Sequence, residues 1–256
     1  MQLSVIIITF NEENNIQRCL NSVRGIADEV VVVDSGSKDN TKTVCRQMAA
    51  KVYDHPFRSY GLQKEFATRL TAFDHILSLD ADEELSEELR DSISRVKLHW
   101  EKDCYSCHRI TNFCGQWILH GEWFPDKVIR LFDRRKAKWI GNIHEKIVPY
   151  DRHNMGDLRG ELLHYSYHSL NHFRIKSEKY AAMSARELYR QGVYPGFYHF
   201  YIKPAYRFLS AFLLRRGFMD GNAGYHIARL TADRVYMKYE KLKQMHEQKE
   251  DPSADI

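Results

Sequence analysis

Glycine is absent from Thr9-Phe10-Asn11-Glu12-Glu13-Asn14, the stretch that follows the first apolar run of this 256-residue chain. A dinucleotide-binding turn needs Gly-x-Gly-x-x-Gly there, so that backbone amides can approach a pyrophosphate. A Gly-x-x-x-x-Gly-Lys-Ser/Thr phosphate loop is missing too. Any phosphate ligand must therefore be held by side chains. Cysteine is sparse: Cys19, Cys45, Cys104, Cys107 and Cys114 are an odd number, with one Cys-x-x-Cys at Cys104 and no second. Zinc sites of that type pair two such motifs. Cys104 to Ile110 also reads as a strand, where a spacing of three turns the two thiols to opposite faces. Reduced packing thiols are expected, not structural zinc. The modest net charge of +4 gives little support for a nucleic-acid partner. No signal-peptide pattern precedes the strand at Leu3, and the thiols show no secretory framework, so a cytoplasmic protein is expected. Internal repeats and low-complexity segments are absent.

What is there alternates. Leu3 to Thr9 is a buried-strand run, and a helical pattern from about Asn14 to Arg24 puts Ile16, Cys19, Leu20 and Val23 on one face. Glu29 to Asp34 is a β-branched strand ending in an acid, and Ser37 is a plausible N-cap for a helix through about Ala50. A short strand near Val52 and a helix from about Leu62 to Ala72 lead to a further apolar run, Ile76 to Leu79. Strand and helix recur at intervals of about 25 residues, which implies βαβ units and a mostly parallel sheet. Right-handed crossovers then bring Thr9, Asp34 and Asp80 to one rim, where open α/β sheets bind ligands.

The run Ile76-Leu77-Ser78-Leu79 ends in Asp80-Ala81-Asp82-Glu83-Glu84. Carboxylates so close together repel unless a cation holds them. Hard oxygen ligands suit Mg²⁺ or Mn²⁺, and such ions bring phosphates with them. The plainer alternative is a solvated acidic turn capping the next helix. For Asn11-Glu12-Glu13 the alternatives are contacts to a base or ribose, or capping of the first helix.

Taken in order, these segments resemble a known family. Val5 to Glu13, Val32 to Thr41, Gln63-Lys64 and Leu79 to Glu83 are similar to the family 2 inverting glycosyltransferases of GT-A fold. Gly115-Gln116-Trp117, His120 to Asp126, Arg130-Leu131-Phe132 and His144-Glu145 resemble the lipopolysaccharide core β-1,4-glucosyltransferase branch. Two positions depart from the pattern. Ser35 stands where many relatives carry a second acid, and His144-Glu145 replaces a Glu-Asp pair. The resemblance implies an α/β, GT-A-type nucleotide-sugar-binding domain over residues 1–168, with a helical extension over 169–256. It places Thr9, Asn11, Glu13 and Asp34 at the nucleotide, Lys64 at a donor phosphate and Asp80 at ribose or donor sugar. Asp82 would ligate the Mg²⁺ or Mn²⁺ ion, and Glu145 would be the general base. The expected donor is a UDP-sugar, glucose first, and the expected acceptor a saccharide on a lipid-linked cell-envelope glycan. The chemistry agrees: a cation and a lysine can neutralise a departing diphosphate, while a carboxylate opposite takes the acceptor's proton.

Around Asn112 to Asp126 the chain is aromatic and turn-rich. Trp123 is a candidate for stacking on an acceptor sugar, against a role in core packing. His120 and His144 are candidate contacts to diphosphate or sugar. Between Glu187 and Asp220 there is no acid, while Arg190, Lys203, Arg207, Arg215 and Arg216 alternate with Phe and Tyr. Charges interrupt that segment long before the about 20 apolar residues of a span. It reads as a membrane-surface element, peripheral on the inner face of the cytoplasmic membrane, or as a helix packed with its basic stems along the domain. Two rivals differ in class. A haloacid-dehalogenase-like phosphatase uses an apolar run and Asp-x-Asp on its first strand, and a non-catalytic sugar- or membrane-binding protein needs only the scaffold.

Overall fold

The computed structural model describes residues 1–141 and 145–250, so His144 lies outside the described residues. Clustering of contacts divides the chain into two compact units. The first is Met1–Ile110 with Asp126–Tyr165, and the second is Thr111–Pro125 with Ser166–Ile256. Thr111–Pro125 thus goes with the C-terminal helices, where the sequence reading placed it in the N-terminal domain.

The first unit opens with β1 (Leu3–Thr9), α1 (Ile16–Ser22), β2 (Glu29–Asp34), α2 (Thr41–Gln47), β3 (Lys51–Asp54), α3 (Tyr60–Arg69) and β4 (His75–Asp80). It continues with β5 (Glu83–Leu85), α4 (Glu87–Leu98) and β6 (Cys104–Phe113). β7 (Gln116–Ile118) belongs to the second unit, and the chain returns with β8 (Asp126–Asp133), β9 (Ala137–Ile140), β10 (Lys146–Pro149) and β11 (Met155–Tyr167). The main sheet runs β3-β2-β1-β4-β8-β6-β11-β5, with β7 on β6, and β9 and β10 form a separate ribbon. Pairing is parallel from β3 through β4 and antiparallel between β4 and β8, β8 and β6, and β11 and β5.

Every residue of β1 is buried, because helices cover both faces of the parallel half. Alternate side chains enter different cores. Leu3, Val5 and Ile7 join Ile16, Cys19, Leu20, Leu77 and Leu79, whereas Ile6 and Ile8 join Val31, Val33, Ala67 and Ile76. The same alternation separates the two β6 thiols: Cys104 is in the second cluster and Cys107 in the first. All five cysteines are free, and burial pushes the Cys104 and Cys107 thiols up to about 12, as expected of inert packing groups.

The helix ends differ from the sequence reading. Ser37 does not cap α2, whose N-cap is Asn40. Nor do the acids after β4 cap α4, because Ser86 does so by accepting from the Leu89 amide.

The second unit contains α5 (Leu170–Arg190), α6 (Lys203–Leu209) and α7 (Gly221–Glu250). Wider π turns at Tyr198–Ile202 and Ser210–Leu214 flank α6. Its apolar centre joins Phe113, Ile118, Phe173, Ala223 and Ile227.

Leu79 is fully buried one residue before Asp80. Leu79→Ala is expected to cost about 2–5 kcal/mol in denaturant unfolding, with an unchanged m-value.

Candidate functional site

The parallel register aligns the carboxyl ends of three strands. Thr9 pairs with Asp34, and Ile8 with Asp80. The loops after β1 and β2 then bond side chain to backbone. Asn11 accepts from the Lys38 amide, and its own amide donates to Ser37 Oγ. Glu13 accepts from the Asn40 amide, and its amide donates to Asp39. Asn11 sits at φ +54°, a left-handed conformation that Asn tolerates better than most residues. Gly36, at φ +91°, turns the second loop. Asp34 is buried and builds that turn: Oδ1 accepts from the Gly36 and Ser37 amides, and Oδ2 from the Ser37 hydroxyl. Asn11 and Glu13 are exposed. The Thr9 hydroxyl is buried and has no hydrogen-bond partner among the described residues.

The centre of the site is a lysine. Lys64, on α3, is 1% exposed. Its Nζ lies 2.8 Å from Asp80 Oδ1 and 2.8 Å from Glu145 Oε1. The Trp139 ring is 5.6 Å away. Residues 64, 80 and 145, from three separate segments, therefore share one ammonium group. The lysine expected at a donor phosphate here links Asp80, the carboxylate expected at ribose or donor sugar, to Glu145, the expected base. Gly61, one turn before Lys64 on α3, permits this approach, since a Cβ there would stand 2.1 Å from the Gly141 carbonyl oxygen.

A second cation closes the ring. Arg130, on β8, donates to Asp80 Oδ2 at 3.0 Å and to Glu83 Oε1. Glu83 Oε2 accepts from the Asp80 amide at 3.0 Å, fixing the turn after β4. Arg109 ties Glu83 to Asp126. Burial alone would raise the Asp80 carboxyl, but the charges of Lys64 and Arg130 overcome it and hold the group well below the usual carboxylate range. Burial alone would lower Arg130, and Glu83 and Asp80 reverse that shift.

Asp82 has different surroundings. It is half-buried, and its Oδ2 lies 3.4 Å from His164 Nε2 on β11. Strand pairing sets this up, because His164 is opposite Glu83.

Two of the three acceptor candidates, His120 and Trp123, fall in the second unit; His144 lies outside the described residues. His120 Nδ1 lies 2.9 Å from Asp220 Oδ1, and its amide donates to Oδ2 at 2.8 Å. Trp123 stacks on Tyr167 at 5.3 Å and meets Phe113 and Phe173 edge-on. Both side chains thus have structural partners within that unit.

Residues 4–152 match the family model described as Glycosyl transferase family 2. The chain belongs to that family. A glycosyltransferase of Rickettsia bellii (strain RML369-C), described as uncharacterized, is 32% identical over 95% of this chain and 87% of its own length. The lipopolysaccharide core biosynthesis glycosyltransferase LpsC of Rhizobium meliloti (strain 1021) is 28% identical over 93% of each chain. Among solved structures, glucosyl-3-phosphoglycerate synthase of Mycobacterium tuberculosis with Mn²⁺, UDP and glucosyl-3-phosphoglycerate is 23% identical, with a TM-score of 0.36. That likeness takes in 43% of this chain and 44% of the other, less than half of either, and carries no weight for site or ligand.

The α/β sheet of this family 2 chain, parallel over β3-β2-β1-β4 with helices on both faces, is the GT-A-type architecture that the resemblance implied. Family membership sets aside the phosphatase alternative, and the Asp-x-Asp pair begins at the end of β4 and not on the first strand. Glu83, Arg109, Arg130 and His164 went without roles in the sequence reading. Glu83 carried a local signal as the acid next to the motif, and Arg130 opened the Arg130-Leu131-Phe132 segment of the resemblance. Arg109, Arg130 and His164 are brought to the site by antiparallel pairing, which apolar periodicity does not encode.

Two outcomes test the network. Lys64→Met should destabilise the fold by about 3–5 kcal/mol, because two carboxylates lose their shared partner in a water-poor site. Asp80→Asn should be less stable than the parent at neutral pH. Since the Asp80 pKa is lowered on folding, its contribution is complete above the unfolded value of about 4 and fades as pH falls below it. The stability gap between parent and Asp80→Asn should therefore narrow below about pH 4 in denaturant titrations. A gap independent of pH would show that Asp80 is not a depressed, ion-paired carboxylate.

Proposed function

We propose that this family 2 chain is an inverting hexosyltransferase that uses a UDP-sugar, glucose first, and a saccharide acceptor of the lipopolysaccharide-core type. The observation that carries the mechanism is the Lys64 ammonium 2.8 Å from both Asp80 and Glu145. It sets an acid on a separate segment beside the acid that ends β4. The acceptor type is taken from LpsC, similar along almost its whole length.

Transfer needs one displacement. The acceptor hydroxyl oxygen bonds to the anomeric carbon while the bond from that carbon to the diphosphate oxygen breaks. Glu145 takes the hydroxyl proton, UDP leaves, and the configuration inverts. Lys64 holds the Glu145 carboxylate in place and keeps the Asp80 carboxylate ionised beside it. Thr9, whose buried hydroxyl lacks a partner among the described residues, and the exposed Asn11 and Glu13 offer polar groups to the nucleotide. Asp34 supports them by holding the second loop.

The donor set suits a divalent ion completed by substrate. Asp80 is occupied by Lys64 and Arg130, whereas Asp82 and His164 present a carboxylate oxygen and an imidazole nitrogen side by side. No cluster of three or more ligating side chains occurs among the described residues. Mg²⁺ keeps few protein ligands and takes the rest from phosphate and water. When bound, Mg²⁺ or Mn²⁺ supplies charge stabilisation for the departing diphosphate.

Glu145→Gln should keep the fold, with a lower melting temperature because buried Lys64 loses one of its two carboxylate partners, keep metal-dependent UDP-sugar affinity near the parent value, and lower kcat by about 10²–10⁴-fold. Near-normal kcat would remove Glu145 from the base role. Asp82→Asn should abolish the effect of a chelator on UDP binding measured by calorimetry. Equal UDP affinity with and without metal in the parent would overturn the metal assignment. Absence of turnover across a panel of nucleotide sugars and saccharide acceptors would favour the non-catalytic alternative.

A further inference from the structure

Within the second unit, the acid-free stretch between Glu187 and Asp220 sorts its side chains in an unusual way. Two of its cations turn to protein partners. Lys203 donates to the Tyr239 hydroxyl at 2.8 Å and lies over the rings of Tyr198 and Tyr239. Arg207 pairs with Glu122. Several large apolar side chains do the reverse. Tyr198, Ile202, Tyr206, Leu209 and Leu213 recur at steps of four, four, three and four, which puts them on one helical face. They are 55%, 49%, 64%, 48% and 52% exposed. The packed face is built by other residues: Ala211 is buried, Phe200 meets Tyr236, and Phe208 and Phe212 meet Tyr225. Arg215 and Arg216 follow the stripe and are exposed.

A surface helix in water normally carries charge on its outer face. A contiguous apolar face there marks a partner. We infer that this face lies in the interfacial region of an anionic phospholipid bilayer, parallel to its plane. Three features select lipid. Tyrosine has an apolar ring and a polar tip, which suits the headgroup boundary. Arg215 and Arg216 match lipid phosphates, and the stretch contains no acid to oppose them. No helix among the described residues is long and apolar enough to cross a membrane, so the segment lies on the surface. Lys203 and Arg207 are engaged within the protein, so the apolar stripe makes the main contact, with Arg215 and Arg216 beside it.

The test uses the full chain, vesicles of phosphatidylcholine with or without phosphatidylglycerol, and no nucleotide sugar. A failure of the transferase reading therefore leaves this result untouched. The parent should co-sediment with the anionic vesicles and stay largely bound at 1 M salt, where the screening length is about 3 Å. Tyr206→Ser with Leu213→Ser should weaken partitioning by about tenfold or more at unchanged melting temperature. Adding Ile202→Ser and Leu209→Ser should abolish it, with circular dichroism to verify the fold. Arg215→Gln with Arg216→Gln should reduce only the binding that depends on phosphatidylglycerol. A parent that stays in the supernatant, or a folded double-serine variant that binds like the parent, would overturn the inference. So would a lipid-free dimer that the serine substitutions convert to monomer, since the face would then be a self-interface.

Discussion

A lysine that is almost fully buried constrains the rest of the site. An ammonium group out of water is unfavourable unless oxygen ligands compensate it. Lys64 finds two, Asp80 and Glu145, each at 2.8 Å. That requirement fixes where α3 must lie against β4 and the segment before β10. It also explains Gly61, because any side chain there would hold Gly141 and its strand away. The position of the proposed base is thus a consequence of solvating one cation.

The two aspartates of the motif, a single residue apart, have opposite surroundings. Asp80 accepts from Lys64 and Arg130, and Coulomb attraction there outweighs the cost of burial. Asp82 Oδ2 lies 3.4 Å from His164 Nε2. Buried ion networks are weak arguments for stability, since desolvation consumes most of the attraction. Their better-supported use is to fix geometry. Here Arg130 and Arg109 hold Glu83, whose carboxylate accepts from the Asp80 amide and closes the turn after β4.

Much of this was legible in the sequence, and the remainder failed for physical reasons. The runs at Leu3, Glu29 and Ile76 became parallel strands because a strand buried on both faces must be apolar throughout. Their order and right-handed crossovers then predicted that Thr9, Asp34 and Asp80 would share a rim. Thiol chemistry at Cys104 and Cys107 was legible from strand alternation alone. The antiparallel strands were less so. Arg109, Arg130 and His164 gain their meaning from registers between β6, β8, β11 and β5, which are set by long-range pairing. Ser37 misled because a serine before a helix resembles a cap, and the Asp34 carboxylate competed for it. Lys64 was recognised, but its partner was not: burial on α3 depends on what packs above it.

The absence of glycine in the first βα turn and the apolar outer face of the second unit follow from one consideration, what each surface must meet. A glycine cradle offers amides to any phosphate. Here the loops after β1 and β2 are instead stitched to each other through Asn11, Glu13, Ser37 and Asp39, with Asn11 left-handed. On the second unit the magnitudes decide what kind of contact operates. Burying one large apolar side chain contributes about 1.5–3 kcal/mol when complete. A basic residue near an anionic surface contributes about 1 kcal/mol. Five apolar side chains, each about half exposed, therefore outweigh two arginines even if each gains only half of its full value. In the inferred membrane contact, charge would orient the face toward anionic lipid and apolar burial would retain it.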